Sequence, residues 1–128
     1  MEKENSSEFF DTIPTEGNGW FLSTLEDGNE LPIKVHYAYL DGPDIDYVAQ
    51  NQITPDLNLD GSKSHSLSIS INTDIVPEKF RRFVFIHELY EGLGVTHEAS
   101  SELDISYAKR YLSKDDFEEY MNFKNSFK

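Results

Sequence analysis

Residues 87 to 97 read His87-Glu88-Leu89-Tyr90-Glu91-Gly92-Leu93-Gly94-Val95-Thr96-His97, which places two imidazoles and two carboxylates in one short run. On a helix, residues four apart share a face, so His87 and Glu91 point the same way and can grip one metal ion. Glu88 is angled to reach a water on that ion. Gly94 stands where a left-handed residue ends a helix, so the chain can turn and bring His97 back as a third ligand. The sequence has no cysteine, so a metal must be held by His and carboxylate donors. Such donors accept several divalent ions, and the sequence does not choose among them.

Taken singly, each residue has an ordinary structural reading. His87 and Glu91 could be a partly exposed pair contributing about 0.2–0.5 kcal/mol, Gly94 a plain helix cap and His97 a surface loop residue. All four at this spacing favour a metal site.

The run also resembles the metzincin metalloproteases, which carry HExxHxxGxxH. Here the string is HExxExxGxxH: His87, Glu88, Gly94 and His97 match, and Glu91 stands where the family has its second His. Leu89 and Leu93 fill the apolar slots. The resemblance is confined to this run and to strands preceding the helix. It implies a zincin-like domain in which His87, Glu91 and His97 hold Zn²⁺ and Glu88 acts as general base on an extended peptide or protein. It further implies that the substrate pairs with the strand at 66–72, if that strand is a free edge. A His₂Glu set is an accepted catalytic zinc shell with one position left for water. Its carboxylate lowers the residual charge on the metal, so the water is less acidified than with three imidazoles.

Two features depart from the family. The only methionines are Met1 and Met121, and Met121 falls in a predicted helix, so there is no Met-turn. The chain is also short for a metzincin. The expectation is therefore a minimal zinc-dependent peptidase, or a scaffold of that shape that binds a protein partner without turnover. A weaker resemblance is to small bacterial proteins with an HExxE helix followed by a His- and Glu-bearing segment. It implies Glu102, and after it Asp104, completing the shell in place of the water or of His97.

The elements that must position this run are legible from periodicity. Residues 20–25 and 31–40 read as a hairpin across a turn at 26–29, with Ile33, Val35, Tyr37 and Tyr39 on one face. Residues 47–53 read as a poorer strand. Residues 66–72 alternate cleanly, Leu67, Ile69 and Ile71 against Ser66, Ser68, Ser70 and Asn72. Asp74 and Pro77 then announce a helix through residue 93, with Phe80, Phe83, Phe85, Ile86 and Leu89 as core and Arg81 and Arg82 as its wet side. A second helix is predicted over 101–112 and a third after Ser113. Strands first and helices after predict an α+β fold, with a small mixed or antiparallel sheet against the metal-bearing helix and two further helices.

The 128 residues suit one domain, predicted over 13–128 after a loosely held segment at 1–12. A net charge of −13 repels phosphate backbones and anionic lipid, which argues against nucleic-acid and membrane partners. It leaves open an acidic inhibitor or DNA mimic that acts by charge. The start lacks an apolar signal region and no run approaches a membrane span, so the expected compartment is cytoplasmic. Asp56, Asn58, Asp60 and Gly61 match the opening of a calcium loop, but its twelfth position is Leu67 where a Glu is required. That segment reads as a strand-connecting turn. His36 and His65 read as ordinary strand histidines.

Overall fold

The computed structural model describes residues 9–21, 33–57 and 59–126. The fold is α+β, as the order of elements predicts. Four strands, β1 (Asn18–Phe21), β2 (Lys34–Leu40), β3 (Ala49–Leu57) and β4 (Lys63–Asn72), form one mixed sheet in the order β1-β2-β4-β3. β1 pairs antiparallel with β2, β2 runs parallel to β4, and β3 returns antiparallel to β4. The hairpin partners are those expected, while the turn at 26–29 lies outside the described residues.

β4 is an inner strand, flanked by β2 and β3. The segment at 66–72 is therefore no free edge, and the substrate pairing expected there is excluded. Its apolar face carries Leu67, Ile69 and Ile71, all buried, and must be covered on both sides of the strand. The edge near the helices is β3. Asn72 donates its backbone N–H to the Val48 carbonyl at 2.9 Å. By the alternation of an antiparallel ladder, Ala49, Asn51 and Ile53 turn their backbone groups to the open side. Pro55 shares that side, where its missing N–H leaves no ladder bond unmade.

Against the apolar face lies α1 (Arg81–Gly92), preceded by a 3₁₀ turn at Glu78–Phe80. Phe80, Phe83, Phe85, Ile86 and Leu89 are buried as expected, and Val84 joins them. The helix is covered on nearly every side, by the sheet and by α2 (His97–Tyr111) and α3 (Lys114–Asn125). Gly92 lies directly against the sheet: a Cβ there would collide with the Leu67 side chain.

Three expectations need correction. Arg81 and Arg82 are not a wet side. Arg81 donates to the carbonyls of Val76 and Thr15, and Arg82 to that of Ile13, so both guanidinium groups tie the N-terminal segment to α1. Phe9 and Phe10 are buried, with Phe10 stacked on Tyr111 at 4.0 Å, so the packed body reaches back past residue 13. Residues 1–8 lie outside the described residues. Finally, α2 starts at His97, four residues before the predicted position, because the Thr96 hydroxyl caps it by accepting from the Ala99 N–H. Among the described residues no helix is long and apolar enough to cross a membrane.

Candidate metal centre

The last turn of α1 and the first turn of α2 meet through a short connection that the sequence shapes closely. Gly94 takes φ +105°, its N–H donates to the Glu91 carbonyl, and the Val95 N–H donates to that of Tyr90. This pair of bonds is a Schellman ending, which needs a left-handed residue at the Gly94 position. Thr96 then starts α2, so His97 is held in a helix turn and does not hang from a loop.

His87, Glu91 and His97 converge. Glu91 Oε2 lies 2.8 Å from His97 Nδ1 and 3.8 Å from His87 Nε2, and the two imidazole nitrogens are 3.2 Å apart. A tetrahedral ion with bonds of about 2.0–2.2 Å needs ligand atoms about 3.3–3.6 Å from one another. The observed triangle brackets that spacing. These three residues can hold a metal ion, and they form such a group among the described residues.

Asp104 stands outside the cluster, behind His87. Its Oδ2 lies 2.8 Å from His87 Nδ1, on the far side of the ring from the cluster. A carboxylate there holds the Nδ1 proton, which leaves the Nε2 lone pair facing Glu91 and His97. Asp104 is fully buried, and its charge is met by the Tyr120 hydroxyl at 2.7 Å and by Lys124 Nζ at 2.8 Å from both oxygens. Burial pushes the Tyr120 hydroxyl far above the usual phenol range, so it remains a donor to Asp104. Glu102 is exposed on the same helix and stands outside the cluster.

Glu88 is buried beside His87. Burial pushes its carboxyl above the ordinary value, and the charge of Glu91 adds to this, while a hydrogen bond from Asn51 opposes it. The Asn51 amide donates at 2.8 Å to Glu88 and at 3.1 Å to Glu91. It thereby spaces two carboxylates that would otherwise repel. Asn51 comes from β3, and no local signal marks it in the sequence. Tyr120 and Lys124 were equally silent, since Tyr120 reads as one more apolar position of an amphipathic helix.

A cleft of about 210 Å³ opens beside the cluster, between the start of β3 and the three helices. His87, Glu88 and His97 line it together with Val48, Val84 and Phe123. The other residues singled out in the sequence stay apart. His36 packs edge-on against Trp20 and His65 is exposed on β4. Asp60 accepts from the Ser62 N–H and hydroxyl in an exposed turn, while Asn58 lies outside the described residues. Compared with family models, curated proteins and solved structures, the chain finds no match.

Proposed function

We propose that the protein is a small zinc-dependent peptidase in which His87, Glu91 and His97 hold the ion and Glu88 is the general base. The convergence of three ligand atoms within 2.8 to 3.8 Å of one another carries this reading. The metzincin-like wording of residues 87–97, with Glu91 as the substituted ligand, supports it from the sequence side. Zinc bound there supplies a Lewis acid toward a peptide carbonyl and toward a water molecule.

The chain's own residues supply the rest. Asp104 keeps His87 in the tautomer a ligand needs. Asn51 fixes one oxygen of Glu88. The raised carboxyl of Glu88 makes it a stronger base toward water than an exposed glutamate, and its position next to His87 in the lining of the cleft supports that role. An extended peptide can add to the sheet along β3, where Ala49, Asn51 and Ile53 offer backbone groups next to the cleft.

The test is metal content together with turnover. Purified without an affinity tag, the protein should carry one equivalent of zinc, and Glu91→Ala should lose it. Glu88→Gln should keep the zinc while hydrolysis of a peptide library falls by about 10²–10⁴. Full zinc with no hydrolysis in the unaltered protein would leave a metal-holding scaffold. No metal after incubation with excess zinc would sink the proposal.

A further inference from the structure

Beyond the chemistry of the cluster, we infer that the cleft takes the C-terminal residue of a peptide, with an apolar side chain against its walls and its free carboxylate on Lys124. This rests on the peptidase reading and names the substrate class of the same site. Lys124 is the cationic side chain among the lining residues apart from the histidines, in a molecule of net charge −13. An ammonium has three donors. Two are met by the oxygens of Asp104, and the third has no acceptor among the described residues. Asp104 is already satisfied by Tyr120 and His87, so its charge is not spent on Lys124 alone.

The geometry suits a terminal residue. From the cluster face of His87 to the Lys124 ammonium, the path crosses one imidazole ring, a 2.8 Å contact to Asp104 and a second of 2.8 Å. Both ends of that path line the same cleft, so a carboxylate held on Lys124 shares the cleft with the cluster. Val48, Ala49, Val84 and Phe123 form walls that favour an apolar side chain and disfavour a charged one. A C-terminal apolar residue carries both required groups on one Cα. An internal residue offers no carboxylate there, and an acidic side chain would cross the apolar walls.

The charge balance agrees. Lys124 offsets Asp104, and a divalent ion held by the cluster would offset Glu88 and Glu91, so repulsion of an incoming carboxylate is least in the zinc-loaded protein.

Calorimetry should compare N-acetylphenylalanine with its C-terminal amide, on the full chain with and without zinc. The acid should bind about tenfold tighter or better in the wild type. Lys124→Arg should keep that preference and Lys124→Met should erase it in both metal states. Val84→Trp, which fills the cleft and leaves the cation in the sequence, should weaken both ligands. Equal binding of acid and amide overturns the inference, as does a preference that survives in Lys124→Met, which would place the carboxylate on the ion. If Lys124→Met does not fold, undiminished acid binding by Val84→Trp overturns it. Zinc content and cleavage of end-blocked peptides report separately on the peptidase reading. Cleavage of blocked peptides with no acid preference would leave that reading standing and remove this one.

Discussion

Asp104 Oδ2 lies 2.8 Å from His87 Nδ1, so a fully buried carboxylate from the middle of α2 aims an imidazole of α1 at Glu91 and His97. Residues seventeen apart in sequence thus act as one unit. Replacing Asp104 with Asn removes the charge that holds the Nδ1 proton. Zinc affinity, measured by chelator competition, should fall about 10–100-fold. Glu102→Gln on the same helix should leave it unchanged, because Glu102 is exposed and outside the cluster. The reverse ranking would restore Glu102 as a ligand.

Asn51 is a clamp between two carboxylates. Asn51→Leu strips Glu88 and Glu91 of a shared donor. Without metal the variant should lose about 1–3 kcal/mol, the usual cost of leaving a buried acceptor unpaired. With saturating zinc the loss should shrink, since the ion then holds Glu91. Urea midpoints with and without zinc check this, and equal losses in both states would contradict it.

The raised carboxyl of Glu88 makes the metal-free protein sensitive to pH. The folded state prefers the protonated form more than the unfolded chain does. Its contribution to stability is therefore complete below the ordinary value of about 4.3 and is lost as pH rises through the higher folded value. Above that folded value a charged, buried Glu88 is a cost. Glu88→Gln in chelator should gain about 0.5–2 kcal/mol at pH 7, with the gain shrinking toward pH 4. Denaturation of wild type and variant across that range gives the difference directly.

At Gly92, α1 lies directly against the Leu67 side chain of β4. Ala is a better helix former than Gly by about 1 kcal/mol, yet Gly92→Ala should destabilise by about 1–3 kcal/mol because its methyl collides with Leu67. Leu67→Val should recover part of that loss in the double variant, while each change alone is unfavourable. Additive losses would mean that the clash is relieved elsewhere.

Much of this protein is written in short-range pattern. The alternation at 66–72, the Phe-rich spacing of α1, Gly94 as a left-handed ending and the shared face of His87 and Glu91 all follow from helix and strand periodicity. Those features are local, so a single chain displays them.

What tertiary structure decided is everything that joins distant segments. Alternation shows that 66–72 has one apolar face, yet it cannot tell an inner strand from an edge, because strand order is set by which partners bury that face best. The Arg81 and Arg82 side chains look wet by periodicity, but reach carbonyls of a segment more than sixty residues away. Asn51, Asp104 and Lys124 gather around the His87-Glu91-His97 cluster from three different elements, and only packing brings them together. Their roles come from burial and charge pairing at short distance in space, and neither is encoded by spacing along the chain.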